Sequence, residues 1–293
     1  MATALETSLL DLHPRELKGM MIDIPTLPAV YRELLRRLQD EEVTVPAVAE
    51  IIARDQALTA RILRLVNSAF YGCHEEITKI KRAVVVLGLR AVRNTALATG
   101  VFDYFRDETK GRAGDPTRFW EHSVAVAVIG RTLAASRLPR HQDEAWVAGL
   151  LHDVGKLVEK RYFPEDFDHI RQVAAEQGLP WYECEGRLFA VNHAQIGKAI
   201  LKGWNFPAAV VEAVHLHHTP EAARRNPQLT ALVHVADVLA YGMGYGAPGS
   251  PPPLACSRPA LDLLALESVD GPGDEPRIRD EIARGLEILT PGG

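Results

Sequence analysis

Two adjacent residues, His152 and Asp153, are the part of this sequence best suited to chemistry. They lie in the segment Gly149–Lys156, Gly-Leu-Leu-His-Asp-Val-Gly-Lys. Neighbouring side chains on a helix point about 100° apart. The pair therefore offers one ligand to each edge of a metal, or a carboxylate that bridges two ions. Gly155 is expected to let the helix end close to the site, and Lys156 is a candidate contact for a phosphate or carboxylate oxygen.

Other residues of the same types follow at wide spacing. Zinc, iron and manganese accept mixed imidazole and carboxylate ligands. The further candidate ligands are His122, His193, His217, His218 and Asp237. Because they come from separate segments, they predict a folded helical cavity and not a local metal loop. Asp237 falls in an otherwise apolar helical stretch, where a buried aspartate is costly unless it is paired or metal-bound.

Not every histidine is expected at this site. His122 shares a helix face with apolar residues, and alone it would indicate a hydrogen-bonded core histidine; its downstream partners favour the site. His215 and His234 fit either role. The histidines predicted to lie at the surface are His13, His141 and His169.

Helical periodicity dominates the elements that must position these residues. In residues 55–70, apolar side chains recur at three- and four-residue steps, which places them on one helix face. Thr44 is the expected cap of a helix that begins next to a proline. Ile80–Leu87 is β-branched but runs into a further helical pattern, and it is predicted to be helical. A long helix over Thr117–Arg137 carries His122.

The chain is predicted to be all-α, with three segments. Residues 1–108 form a first helical subdomain, and residues 109–245 form a second one that contains the candidate ligands. Residues 246–293 are a connector rich in proline and glycine, followed by two short amphipathic helices. A charged, glycine-containing loop over residues 107–116 separates the two subdomains.

Composition limits the class of protein. With 293 residues, 47 % hydrophobic and 24 % charged, the chain is typical of a globular protein. The net charge of -5 gives no indication of nucleic-acid binding. The 3 cysteines are far apart and predict neither a disulfide framework nor a thiolate zinc site. No leader pattern and no long uncharged apolar run occurs, so we expect no membrane span and a cytoplasmic location.

Two blocks of sequence resemble the HDOD family, a bacterial signalling branch of the HD superfamily, over about residues 17–241. The first block is Leu27–Val30, then Ala49–Gly72, then the Ala83–Leu89 segment that ends in Leu-Gly-Leu. The second block consists of Trp120–Ser123, Gly149–Lys156, Asn192-His193, Trp204–Pro207 and His217-His218. The resemblance implies an N-terminal helical bundle joined to an HD-like bundle, and a regulatory or output role without an agreed reaction.

The resemblance also implies roles for the candidate residues. The wider HD superfamily contains metal-dependent phosphohydrolases, in which a first histidine, the His-Asp pair and a late aspartate bind metal. The corresponding residues here are His122, His152, Asp153 and Asp237. The HD-GYP group, which cleaves cyclic di-guanylate, adds histidines that resemble His193, His217 and His218.

One departure from that group concerns recognition of the substrate. Residues 219–222 are Thr-Pro-Glu-Ala, where the HD-GYP pattern has an Asp-Gly…Gly-Tyr-Pro stretch tied to cyclic dinucleotides. Cleavage of cyclic di-guanylate is therefore not the expected activity.

The sequence is compatible with three functions. The first is a signalling output or scaffold module, with one or two divalent ions (iron, manganese, zinc or nickel) as a structural element or sensor. The alternative is a metal-dependent phosphohydrolase acting on a nucleotide or other phosphoester, with Asp153 and Lys156 as catalytic groups. In the third, the histidines are hydrogen-bonded core residues. The expected partner is a signalling protein or a small nucleotide ligand.

Overall fold

The computed structural model describes residues 29–38, 40, 42–67, 75–108, 116–246, 256–269 and 275–289. Every regular element in these residues is helical, which confirms the predicted all-α fold. The predicted surface residue His13 lies outside the described residues, as does most of the predicted loop over residues 107–116.

The described helices are numbered in chain order, and two short 3-10 turns lie among them. The helices are α1 (Ala29–Arg37), α2 (Val45–Ala53), α3 (Gln56–Val66), α4 (Ile80–Glu108), α5 (Pro116–Arg137), α6 (Gln142–Leu151), α7 (Val154–Tyr162), α8 (Pro164–Gln177), α9 (Trp181–Leu188), α10 (His193–Gly203), α11 (Ala208–Leu216), α12 (Pro227–Gly242), α13 (Arg258–Leu263) and α14 (Glu275–Leu289). The 3-10 turns are Pro139–His141 and Pro220–Ala222.

The chain divides into two compact units, residues 26–108 with 276–293, and residues 1–25 with 109–275. In the first unit, α4 packs against α1, α2 and α3. Thr44 caps α2 as predicted, because its hydroxyl accepts from the backbone N–H of Ala47. The Arg64 guanidinium donates to the carbonyl of Glu287 at 2.7 Å. Helix α14 therefore contacts α3, and the predicted C-terminal segment is divided between the two units.

Helix α4 is broken at Gly88, whose φ of 77° and ψ of 158° suit a residue without a Cβ atom. Within the described residues, its part Ile80–Val101 is the one stretch that is long and apolar enough to cross a membrane. However, 65 % of its most apolar window is buried, as in the core helix of a globular unit. Length and composition alone are therefore weak evidence for a membrane span here.

The second unit brings several helix ends to one place. Helix α5 packs against α6 and α12, α11 packs against α6, α10 and α12, and α10 also packs against α7. Helix α6 ends directly before His152, α11 ends directly before His217, and α10 begins at His193. A capping box, in which Asn192 and Gln195 bond each other's backbone N–H, determines where α10 starts. These ends carry the polar residues of the candidate site.

Candidate metal centre

The structure brings all seven sequence-predicted candidate ligands into one cluster inside the second unit. Six of them are buried and His218 is half-buried. Their ligand atoms form three overlapping groups, each within 4.8 Å: His122, His152 and Asp153; His152, His217 and Asp237; and Asp153, His193, His217 and His218. The structure therefore brings together the residues that the sequence singled out, and their roles as ligands stay a prediction.

One side of the cluster is formed by His122, His152 and Asp237. The Nε2 atoms of His122 and His152 lie 3.2 Å apart. Nε2 of His122 lies 3.3 Å from Oδ1 of Asp237. Oδ2 of Asp153 faces this side, 3.5 Å from Nε2 of His152.

The other side of the cluster is formed by His193, His217 and His218. Nε2 of His193 lies 3.1 Å from Nε2 of His218 and 3.5 Å from Nε2 of His217. Oδ1 of Asp153 faces this side, 3.2 Å from Nε2 of His193. Asp153 thus presents one oxygen to each half, an arrangement that suits a carboxylate bridging two ions.

Hydrogen bonds behind the cluster orient four of the imidazoles. Each Nδ1 atom lies 2.7 Å from an oxygen that can only accept: His122 to the Tyr245 carbonyl, His152 to the Gly149 carbonyl, His217 to the Val214 carbonyl and His193 to Oε2 of Glu185. We therefore assign the proton to Nδ1 in the neutral rings, which leaves the Nε2 lone pair directed at the centre of the cluster.

This arrangement fits a divalent metal ion. With the protons on Nδ1, the Nε2 atoms of His122 and His152, and those of His193 and His217, face one another at 3.2 and 3.5 Å without a proton between them. The Oδ1 atoms of Asp153 and Asp237 are buried without a hydrogen-bond partner. A cation among these atoms would satisfy all of them, and their nitrogen and oxygen donors are those of zinc, iron, manganese or nickel. The described cysteines, Cys184 and Cys256, belong to none of the three groups.

The pKa shifts of two imidazoles and both carboxylates favour a cation in the cluster, whereas Glu185 overcomes the effect of burial and raises the pKa of His193. Burial and neighbouring imidazoles lower the pKa of His217 and His218 well below the usual range. Burial alone would raise the pKa of Asp153, but Lys156 and the nearby His152 hold it well below its usual value. Burial likewise opposes ionisation of Asp237, but the adjacent His122 and His152 imidazoles lower the pKa of Asp237 below its usual value.

Lys156, a candidate contact for a phosphate or carboxylate oxygen, contacts a carboxylate of the cluster itself. Its Nζ atom donates to Oδ2 of Asp153 at 2.6 Å, and the residue is 8 % exposed. Burial would lower the pKa of Lys156, but Asp153 raises it above its usual value. Lys156 therefore remains charged and compensates the buried carboxylate of Asp153.

Glu185 and Glu159 are site residues that sequence reasoning missed. Glu185 accepts from Nδ1 of His193, from the His193 backbone N–H at 3.1 Å and from Nε1 of Trp181 at 2.9 Å. Both glutamates are completely buried. Burial and the adjacent Glu185 raise the pKa of Glu159 well above its usual value. The spacing of Trp181 and Glu185, one helical turn apart, is the only local signal, and it does not point to His193.

The outer edge of the cluster is aromatic. Tyr182 stacks on the His218 ring, with centroids 4.2 Å apart and an angle of 18° between the planes. Since His218 and Tyr182 are both half-buried, they mark the side of the cluster that is nearest to solvent.

The remaining described histidines lie outside the ligand groups. His234 donates from Nδ1 to the carbonyl of His217 at 2.8 Å and accepts the backbone N–H of Ser257 at 3.0 Å, so it supports His217 from behind. His215 faces Lys198, and burial together with nearby lysines lowers its pKa to about 4. His169 is exposed and His141 is half-buried.

Gly155 has a different structural role from the one that the sequence led us to expect. Helix α7 continues through Gly155 and does not end there. A Cβ atom at this position would lie 2.0 Å from the carbonyl oxygen of His193, so glycine permits α7 to approach the start of α10. Gly149 has a similar role, because its Cβ would lie 2.7 Å from Cα of Ala127 in α5.

Comparison with known proteins agrees with this geometry. The HDOD domain model matches residues 24–220. An HDOD domain protein of unknown function from Geobacter sulfurreducens is 25 % identical with a TM-score of 0.72, over 93 % of this chain and 97 % of that one. A protein from Shewanella amazonensis SB2B, provisionally named a phosphohydrolase, is 26 % identical with a TM-score of 0.70, over 94 % of this chain and 98 % of that one.

A relative known from its sequence is longer than this chain. An uncharacterised protein of Treponema pallidum (strain Nichols) is 29 % identical over 222 residues, which cover 74 % of this chain and 42 % of that protein. The chain therefore spans less than half the length of this curated relative.

Proposed function

Because the chain belongs to the HDOD family, we propose that it is a signal-transduction output or scaffold module whose HD-like unit holds one or two divalent metal ions. The observation that carries the metal centre is the convergence of the Nε2 atoms of His122, His152, His193 and His217 around Asp153, each with its Nδ1 atom bonded to an oxygen behind it. A cluster of ordinary core histidines would instead pair each lone pair with a hydrogen-bond donor.

The two sides of the cluster define which residues would hold each ion. One ion would take His122, His152 and Asp153 together with Asp237, which lies near both histidines, and a second would take Asp153, His193, His217 and His218. When bound, such ions polarise phosphoryl oxygens and activate water. In a module without turnover, the same ions would tie together the helices that supply the ligands.

The metal content of purified protein tests this proposal. We expect bound metal by mass spectrometry, and anomalous scattering within ligand distance of at least four of the seven residues. His122→Gln and His218→Gln remove one donor from each side and should each weaken binding, whereas His169→Ala, at an exposed position, should not. Metal bound elsewhere, or equal affinity in all three variants, would show that the ligand assignment is wrong.

A phosphohydrolase is the second candidate function. It is favoured by the position of Asp153 between two ligand groups and by the provisional name of the similar protein from Shewanella amazonensis. Against it stand residues 219–222, which differ from the recognition stretch of the cyclic dinucleotide hydrolases that the sequence resembles. We therefore rank the signalling module first.

A measurement of enzymatic turnover would distinguish the phosphohydrolase from the signalling module. Metal-loaded protein would be assayed against nucleotides, cyclic dinucleotides and simple phosphoesters, with Asp153→Asn as the variant. Hydrolysis that Asp153→Asn abolishes, while the helical circular-dichroism signal is retained, supports the enzyme. Absence of turnover with manganese, iron, zinc and nickel supports the module.

The proposed setting of the module is the cytoplasm. Its proposed partner is a signalling protein or a small nucleotide ligand. The burial of the apolar part of α4 supports a location away from the membrane.

A further inference from the structure

Outside the metal cluster, the second unit contains a cavity of about 320 Å³ formed by α10, α11 and the turns that follow them. This volume is at the lower end of the range typical of small-molecule sites, about 300 to 1,000 Å³. We call it the basic pocket and define it by its charged lining residues, Lys198, Lys202, Glu212 and Arg225.

The charges in the basic pocket are unbalanced. Its three cations and one carboxylate leave a surplus of two positive charges, whereas the whole chain carries a net charge of -5. Lys198 and Lys202 are four residues apart on α10 and therefore share one helix face. In the described part of the chain, no carboxylate forms a salt bridge with Lys198 or Lys202, while Arg225 interacts electrostatically with Glu212.

The one carboxylate in the basic pocket already has its own partners. Glu212 accepts the backbone N–H groups of Arg224 at 3.2 Å, Arg225 at 3.1 Å and Asn226 at 2.6 Å. These bonds hold the turn after the second 3-10 helix against α11, and so keep Arg225 at the rim. Glu212 therefore has little capacity left to neutralise the lysines.

The inner wall of the basic pocket is apolar. Phe206 and Val211, which both line it, are 6 % and 5 % exposed. The small exposed part of these two side chains faces the cavity, and a free inorganic ion would leave it in contact with water. An organic molecule whose apolar part covers the wall and whose charged group meets the cations would use both features.

We propose that the basic pocket is a binding site for a small organic anion that carries a doubly charged, phosphate-like group. Two lysines and an arginine that approach from α10 and the turn before α12 match a dianion better than a single carboxylate. The site is separate from the metal cluster, since none of its four charged residues belongs to the ligand groups. Anion binding in the basic pocket does not depend on whether the metal centre is catalytic.

Phenylphosphonate is a suitable probe, because it combines a dianion with an apolar ring and cannot be hydrolysed as a phosphoester. Calorimetry on the full chain would compare it with inorganic phosphate, which lacks the ring, and benzoate, which carries one charge. We expect phenylphosphonate to bind most tightly, and binding should weaken as salt is raised. The same binding should persist in chelator-treated protein.

The variants locate the binding. Lys202→Gln with Arg225→Gln alters exposed side chains only, and should weaken phenylphosphonate binding about tenfold or more, as expected for two lost charge-assisted contacts. Arg171→Gln, an exposed arginine on α8, is the matched control and should bind as the unmodified chain does.

Three results would overturn the proposal. The first is no binding at millimolar phenylphosphonate. The second is equal affinity for benzoate, which would remove the need for a dianion. The third is binding that survives the double substitution but is lost on chelation, which would assign the anion to the metal cluster.

Discussion

Substitution of Gly155 by alanine tests whether close helix packing builds the metal centre. The added Cβ would lie 2.0 Å from the carbonyl oxygen of His193 and 2.6 Å from its carbonyl carbon, whereas ordinary contact begins at 3.4 Å. Since both obstructing atoms belong to the backbone, no side-chain rotation can relieve the overlap. Helices α7 and α10 must therefore separate by more than an ångström, which moves His193 away from Asp153.

The size of the effect follows from overpacking. Inserting a methyl group into a packed core costs about 1 to 3 kcal/mol, and a backbone obstruction puts Gly155→Ala at the upper end, about 3 kcal/mol. For a unit of this length, that corresponds to a fall in Tm of roughly 6 to 12 °C. Metal binding should weaken as well, because a ligand displaced by an ångström no longer meets its partners.

The assay needs a matched glycine. Gly186, on α9, is exposed and has no atom within 4 Å of the position that a Cβ would take, so Gly186→Ala should stabilise the protein by about 0.5 to 1 kcal/mol. Unfolding in urea, followed by circular dichroism, gives the free energies, and mass spectrometry after dialysis gives metal content. If Gly155→Ala unfolds with the same free energy as the unmodified chain and keeps its metal, the packing argument fails.

Three further predictions concern charge, pH and metal. Glu185→Gln removes the negative charge from the acceptor of Nδ1 of His193 and should weaken metal binding about 10- to 100-fold by titration, whereas Glu183→Gln on the same helix should not. The pKa of His215 is about 4 in the folded chain, below its usual value near 6.5. Between pH 6.5 and pH 4 the folded chain therefore binds fewer protons than the unfolded chain, and the free energy of unfolding decreases as the pH falls through this range. His215→Gln should make urea unfolding less sensitive to pH over that window, and a parallel pH dependence would contradict the assignment. Chelation should lower Tm, because a metal that binds only the folded state stabilises it, and an unchanged Tm would contradict a centre that joins these helices.

The sequence predicted the elements that depend on local signals. The apolar steps at Leu58, Ile62 and Leu65 became a buried helix face, and Thr44 caps α2 as expected. Such features could be predicted because helical periodicity and capping involve residues within four positions of one another. The prediction that His122 and Asp237 lie close together had a different basis, because it depended on residue types and a family resemblance.

Features made by long-range packing could not be predicted in this way. The bond between Glu185 and His193 needs α9 and α10 to lie at a particular angle, and the contact of Gly155 with His193 needs α7 at a particular distance from α10. The basic pocket combines Lys198 and Arg225, which are far apart in sequence, because a Glu212 carboxylate holds the intervening turn.

The sequence by itself determined the helical character of this protein and the chemical types of its candidate ligands. The helical character follows from local periodicity, and the ligand types follow from residue identity. Only the tertiary structure decided the directions of those ligands. Carbonyl and carboxylate acceptors behind His122, His152, His193 and His217 hold the Nδ1 protons outward and the Nε2 lone pairs inward. These acceptors come from separate helices and turns, so their positions exist only once the helices have packed.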